Sequence, residues 1–490
     1  MAPSPDGNMH TTLLDLLSNT LVLRQTTPYL PISALYALAA ASTSFHHLVH
    51  HSPEVFRYLD LSTVKSTFVP YVPLDSGGNN WRSERMDEAL TEDEFYSGPL
   101  RGIFSKLGRS GLLRNVHTLV LDGLSVPADL VREIIVEDRF NVRILSIREV
   151  ENLNEKKLIQ CLKYAVRPTR PENTPRLKGL YYFGPREPLP VEHTPMKKRK
   201  SPPGGPQGVK SSQGAQISAQ WNQRSSEALT TALTRTEEKW YQPSGRITIK
   251  RPHAEWPETL QACEGIIFFD AVLCRGPRHD VQTAYINDGQ NTGVPHPFSY
   301  LKPAVATIAL GPSGCNSCYS VQEGAAYFGQ SPAAHLPLLS PPPLHSASIR
   351  AAQMPSTTDG SATLPLIVRC EDCLRGRWCE RCNKWWDEPC YSGSAAASRT
   401  ELQQTEYMEQ VNGALEFRQQ KEIKIGVKRD CFGCGYTCAE CKELYIRRCK
   451  KCRRNEYCVV DHDASSAMIA HHLSDLCDWC NYTSRRSGPY

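Results

Sequence analysis

At 490 residues the chain has room for two or three domains of roughly 150 residues each, and its 36 prolines set part of that length aside as linker. The charge is close to balanced, 56 Lys and Arg against 51 Asp and Glu for a formal +5, so composition alone defines no nucleic-acid surface. No apolar run approaches the ~20 residues of a membrane span, and the longest, Ser33 to Ser42, is short and alanine-rich. Neither a membrane nor a nucleic acid is expected as a partner.

The first segment, 11–62, reads as helical. Leu13, Leu14, Leu16, Leu17, Leu21 and Leu23 fall at helical spacings over Thr11 to Leu23. After Pro28 and Pro31 a second helix is predicted over Ile32 to Val49, with Leu35, Leu38, Ala39, Ser42, Phe45, Leu48 and Val49 on one stripe. The order Leu16-Leu17, Tyr29-Leu30-Pro31, Leu35, Leu38, Ser44-Phe45, Leu48, Pro53, Val55-Phe56-Arg57, Leu59-Asp60-Leu61 resembles the F-box, a module of about fifty residues. The Leu-Pro pair that usually opens that module is Thr12-Leu13 here, and Arg24 to Pro31 is longer than usual. The resemblance implies docking on the adaptor subunit of a cullin-type ubiquitin ligase through Leu30, Pro31, Leu35, Leu38, Phe45 and Leu48. A helical piece of this size leaves apolar side chains for a partner groove to cover.

Over 63–185 strands and helices alternate. Val116 to Asp122, Val142 to Arg148 and Leu177 to Phe183 each alternate apolar and polar residues as half-buried strands do. Between them Val126 to Ile135, opening at Pro127, and Glu155 to Val166 read as amphipathic helices. Aligning Leu119, Leu145 and Leu180 gives steps of 26 and 35 residues, an irregular array resembling leucine-rich repeats. A compact α/β domain of another topology is the alternative, and both imply parallel strands flanked by helices. Gly265 to Asp270 and Ala304 to Leu310 are expected to continue the array through 247–328.

Two linkers interrupt this organisation. Residues 186–246 turn to Pro, Ser, Gly, Gln and charge, a composition with too little apolar surface to fold. Within them Lys197-Lys198-Arg199-Lys200 resembles a nuclear import signal, beside a candidate phosphorylation site at Ser201-Pro202, so the expected location is nucleus and/or cytoplasm. A second linker is expected at 329–365, around Pro341-Pro342-Pro343.

Fourteen of the nineteen cysteines lie between Cys370 and Cys480, most of them as Cys-x-x-Cys pairs. Two thiolates at that spacing reach one ion, and two pairs complete a tetrahedral zinc shell. A disulfide framework fits poorly, because it belongs to small secreted domains and the opening Met-Ala-Pro-Ser-Pro-Asp has no signal-peptide character. In a first zinc module, 366–392, Cys370, Cys373, Cys379 and Cys382 suffice for one site, with Cys390 spare or substituting, and Trp378, Trp385 and Trp386 read as core. A helix over 399–424 is expected to connect it to a second module, 428–482. Its candidate ligands are Cys431, Cys434, Cys438, Cys441, Cys449, Cys452, Cys458, His462, His471, Cys477 and Cys480, arranged in sequence or interleaved. Cys438 to Cys458 resembles MYND, RING and B-box modules in part, too little to carry over a partner. Cys315-x-x-Cys318, with only two ligands, reads as a turn, though it could recruit a distant histidine such as His279.

Closed thiolate shells leave no open coordination position, so two to four structural Zn2+ ions are expected rather than a catalytic metal. No phosphate loop, nucleophile triad or zinc-protease helix is evident, and no catalytic residue is assigned. The sequence thus describes a multidomain α/β protein: a short F-box-like helical module, an irregular repeat-like strand and helix domain, small zinc-stabilised C-terminal modules and disordered linkers. The function expected is a substrate receptor of a cullin-type ligase that binds an unknown protein substrate. The alternatives are a RING-like ubiquitin ligase and a nuclear zinc-binding scaffold.

Overall fold

The computed structural model describes residues 12–67, 92–186, 248, 251–280, 301–355 except 312 and 322, 365–391, 427–431, 435–450, 452–453 and 456–458. The chain divides into two compact units, each discontinuous in sequence. One comprises 1–240, 252–271 and 337–359; the other comprises 241–251, 272–336 and 360–490. The basic run 197–200 and the expected connecting helix 399–424 lie outside the described residues.

In the first unit the N-terminal segment is helical but more broken than periodicity suggests. The expected helix over Thr11 to Leu23 divides into α1 (Leu13–Ser18) and α2 (Thr20–Thr26). Asn19 is the cause: its side chain accepts a hydrogen bond from Leu21 N at 3.0 Å and caps α2. Ser42 divides the second in the same way. It is extended between α3 (Ile32–Ala41) and α4 (Thr43–His51), and its hydroxyl accepts from Phe45 N at 3.2 Å. Leu17, Leu23, Leu35, Ala39, Val49, Val55 and Phe56 form the interior of this region. Leu35, expected to face an adaptor, is therefore buried within the chain itself. Leu30, Leu38, Phe45 and Leu48 are half-buried and Pro31 is exposed.

The chain then enters a parallel sheet of β1 (Tyr58–Asp60), β2 (Thr118–Val120), β3 (Ile144–Ser146), β4 (Gly179–Tyr181) and β5 (Phe268–Phe269). The strands lie side by side in sequence order, each parallel to the last. In register, Leu59, Leu119, Leu145, Leu180 and Phe269 make one ladder, all nearly inaccessible to water. Pairing runs past the formal strands, because Leu121 N donates to Ser146 O and Ile147 N to Tyr181 O, both at 2.9 Å. Strands in this order need helical returns. Described helices are α5 (Glu92–Arg109) before β2, α6 (Ala128–Val136) before β3, α7 (Glu155–Ala165) before β4 and α8 (Trp256–Cys263) before β5. Leu130, Val131, Ile134 and Ile135 of α6 and Leu158, Ile159 and Leu162 of α7 are buried.

Polar groups just after the strands are satisfied internally. Asp122 accepts from Ser146 Oγ at 2.6 Å, Arg148 N at 2.9 Å and two guanidinium nitrogens of Arg148 at 3.0 and 2.7 Å. Asp270 accepts from the amides of Tyr182, Phe183 and Gly184 at 2.9, 3.0 and 2.7 Å, closing the turn after β4.

The proline-rich stretch around 341–343 does not act as a linker over its described residues. Leu338 N donates to Phe269 O at 2.8 Å along the outer edge of β5, and Tyr181 Oη donates to Ser340 O at 2.8 Å. Leu338, with Ala352 of α9 (Ile349–Gln353), joins Ile144 and Tyr181 in one apolar cluster. The segment covers a sheet edge that would otherwise present unpaired backbone groups.

Below the strand starts, burial first and then Arg57 and Arg143 push the pKa of half-buried His117 down to about 4. Asn141 Nδ2 contacts its Nε2 at 3.1 Å, and Nδ1 is buried without a hydrogen-bond partner. In the unfolded chain this imidazole takes a proton near 6.5, in the folded one near 4. The contribution of His117 to the stability of this unit should therefore fall as pH drops from about 6.5 to about 4 and stay constant below. Urea midpoints across that range should show a shallower fall in His117→Gln, and identical slopes would remove His117 as a contributor.

In the second unit Ala304 to Leu310 does not extend the parallel sheet. Its strand β6 (Ile308–Leu310) pairs antiparallel with β7 (Ile367–Arg369). Ile308, Leu310, Ile367, Leu374, Trp378 and Trp385 form a small core behind that pair. Two antiparallel pairs follow, β8 (Val427–Cys431) with β9 (Gly435–Cys438), and β10 (Ile446–Arg448) with β11 (Glu456–Cys458). The helix α10 (Ala439–Tyr445) lies between them in sequence.

Candidate metal centres

Among the described residues, three groups of ligand-type side chains converge in the second unit, each with its ligand atoms within 4.8 Å of one another. The first is Cys274, His279 and Cys370. Cys274 leaves a short bridge where its amide donates to Ala304 O at 2.8 Å, and Cys370 directly follows β7. His279 Nδ1 lies 3.2 Å from Leu301 O, an acceptor only, which fixes the proton there and turns the Nε2 lone pair toward Cys370 Sγ at 3.1 Å. Hydrogen bonding from Cys274 holds the Cys370 thiol below its ordinary range against the effect of burial, and the Cys373 amide assists at 3.3 Å.

Cys373 also borders this group, within hydrogen-bonding reach of Cys274. Its sulfur packs so closely on Gly276 that a methyl there would collide with it. The fully buried Arg377 reaches the same sulfur at 3.4 Å, and pairs with Glu323 at 2.8 Å and Glu388 at 3.2 Å.

The second group is Cys315, Cys318, Asp387 and Cys390. Cys315 Sγ accepts from Asp387 N at 3.2 Å and Ser317 N at 3.4 Å, the amide contacts that a thiolate favours. Cys318 Sγ lies 3.2 Å from Asp387 Oδ2.

The third group is Cys379, Cys382, Cys438 and Cys441. Cys379 to Asn383 form a tight turn: Cys379 N donates to Lys384 O at 2.8 Å, Asn383 takes φ 57°, and Trp378 Nε1 donates to Asn383 Oδ1 at 2.7 Å. This turn docks on β9 through Glu380 N to Tyr436 O at 2.9 Å, and on the end of α10 through the Arg381 guanidinium 3.4 Å over the Tyr445 ring. Cys379 and Cys441 sulfurs are 3.8 Å apart, and those of Cys382 and Cys438 3.7 Å. Sulfurs each 2.3 Å from one tetrahedral ion stand about 3.8 Å apart, whereas a disulfide would bring them to about 2 Å. Burial, followed by the neighbouring sulfurs, pushes the Cys382 thiol up to about 12, a penalty that a bound cation reverses. The residues present therefore fit a thiolate-binding metal, with the Cys379 group supplying four sulfurs.

The expected ligands are thus redistributed. Cys370 and Cys373 do not share a site with Cys379 and Cys382; Cys390 joins the Cys315 pair; and Cys438 and Cys441 complete the shell begun by Cys379 and Cys382. Cys315 and Cys318 form half of a cluster as well as a turn, and His279 serves the Cys274 group instead. Sequence reasoning did not single out Cys274 or Asp387 as candidate ligands, and it read Cys315 and Cys318 first as a turn. The Cys-x-x-Cys spacing pointed to the middle pair, and Cys274-x4-His279 was the available signal for the first.

Cys449, buried, and Cys452, half-buried, occupy the turn between β10 and β11 and belong to no such group among the described residues. Cys431 ends β8 and Cys458 ends β11. Cys434, His462, His471, Cys477 and Cys480 lie outside the described residues. Among the described residues no helix is long and apolar enough to cross a membrane.

No protein-family model matches the chain, and no curated protein matches it in sequence.

Proposed function

We propose that the chain is a non-catalytic substrate receptor of a cullin-type ubiquitin ligase, acting in the nucleus and/or cytoplasm, with structural zinc holding its C-terminal recognition region. The observation that carries this reading is the apolar surface of α1 and α2. Leu13, Leu16 and Leu21 are 58 %, 49 % and 71 % exposed, while Leu17 and Leu23 of the same helices are buried. Leucines displayed this way on short helices suit a partner's groove. The five-strand ladder, ordered as in the sequence, suits presentation of a protein substrate, as stacked repeats do.

The test is capture of the purified full chain by the cullin adaptor subunit. Leu16→Asp with Leu21→Asp should abolish capture and leave zinc content and unfolding temperature unchanged. Failure of zinc-loaded wild type to be captured sinks the proposal. Leu35→Asp is unsuitable here, because Leu35 is buried and its loss would disturb folding.

The alternating order of the ligand sets favours a second reading, a RING-like ligase. The Cys274 group and the Cys315 group take turns along the chain, as a cross-braced pair of ions requires. Ubiquitin discharge from a charged conjugating enzyme without a cullin would favour that reading over the first.

A further inference from the structure

Asp387 is the unusual member of the three clusters. It is fully buried, and it occupies the N-cap position of the 3-10 turn Glu388–Cys390. An aspartate there ordinarily turns its carboxylate onto the amides of the following turn. This one makes no side-chain cap hydrogen bond. It points instead at sulfur, with Oδ2 at 3.2 Å from Cys318 Sγ, and Oδ1 is buried with no hydrogen-bond partner. The buried guanidinium of Arg377 is hydrogen-bonded to Glu323 and paired with Glu388. A carboxylate taken out of water with one oxygen unmatched is costly unless a cation meets it. Cys315 and Cys390 complete the ring of ligand atoms around the place where that cation would sit.

We propose that Asp387, Cys315, Cys318 and Cys390 form a mixed-ligand zinc site of three thiolates and one carboxylate, and that this site gives up its ion ahead of the others. Zinc takes carboxylate oxygen as well as sulfur and imposes no ligand-field geometry, so it accepts such a shell. Exchanging one thiolate for a harder, less donating oxygen weakens the hold on a metal of borderline softness. Access acts in the same direction relative to the Cys274 group, since Cys318 is exposed and Cys390 half-buried while Cys274 and Cys370 are buried. Cys382 of the Cys379 group is exposed as well, so against that group the difference in ligand chemistry carries the order. The proposal concerns metal exchange and is independent of ligase function.

The experiment follows zinc release from the reduced, zinc-loaded full chain into excess chelator. Wild type should release one equivalent roughly tenfold or more faster than the remainder. Asp387→Cys, which rebuilds an all-sulfur shell, should slow that equivalent into the main phase and raise the mean sulfur coordination in zinc X-ray absorption. Asp387→Ala should carry one equivalent less as purified. A full zinc count and unchanged release in Asp387→Ala, or an unaltered fast phase and sulfur coordination in Asp387→Cys, would overturn the assignment. The cysteine variant keeps the test decisive if the alanine variant does not fold.

Discussion

Stripping metal from the reduced protein should unfold the cysteine-rich unit and leave the parallel sheet folded. The apolar core behind β6 and β7 is six residues, two of them tryptophans, of which Trp378 directly precedes the candidate ligand Cys379. Cys379, Cys438, Cys441, Cys315, Cys370 and Cys373 are themselves buried. Without a cation these positions hold crowded, desolvated thiols in place of a core, and apparent zinc-binding energies in small zinc-dependent domains are on the order of 10–16 kcal/mol. Amide exchange after chelation should lose protection at β6, β7 and residues 370–391 while β2, β3 and β4 keep theirs. Zinc should restore the loss and magnesium should not, because a hard ion has little affinity for sulfur. Unchanged protection in metal-free protein would mean that apolar packing alone carries this unit.

Arg148→Ala should be the most damaging single change in the sheet unit. The side chains of Arg148 and Asp122 are 6 % and 5 % exposed, and their bonds link the ends of β2 and β3. Removing one partner of a buried pair leaves the other charge uncompensated, a cost of about 3–5 kcal/mol. For a unit of this size that corresponds to a fall in unfolding temperature of roughly 10 °C. Pairing Arg148→Met with Asp122→Leu removes both charges and should recover part of the loss. Full recovery is not expected, since Arg148 N and Ser146 Oγ lose the acceptor they now share. A thermal shift of less than a degree or two in the single variant would show the pair to be dispensable.

The sequence was most informative where the physics is local. Alternation placed three strands, and aligning Leu119, Leu145 and Leu180 anticipated the register in which they pair. The breaks at Asn19 and Ser42 lie in helical periodicity that does not record whether a small polar residue turns its side chain onto the backbone. Periodicity also located the stripe containing Leu35 without saying what covers it, and the covering residues belong to the same chain. Strand-like alternation in Ala304 to Leu310 was real, but its partner β7 lies beyond α9, so its direction was decided by tertiary placement. Among the cysteines, spacing identified pairs and could not identify partners. Asp387 stands before Cys390 at the same x-x spacing as the cysteine pairs, but an aspartate before a Glu-Pro turn looks like an ordinary cap until its side chain is seen to face sulfur.

The interleaved ligand sets also impose an order on biosynthesis. Cys274 emerges 96 residues before Cys370, Cys315 75 residues before Cys390, and Cys379 59 residues before Cys438. At about 5–20 residues per second, Cys274, with His279 beside it, waits roughly 5–20 s as a lone thiol before Cys370 exists. In that interval the nascent chain is vulnerable to oxidation and to capture of the wrong metal. A chain terminated before Cys438 would carry Cys379 and Cys382 permanently without their partners, so premature stops far downstream of the sheet would still yield a product marked by reactive sulfur.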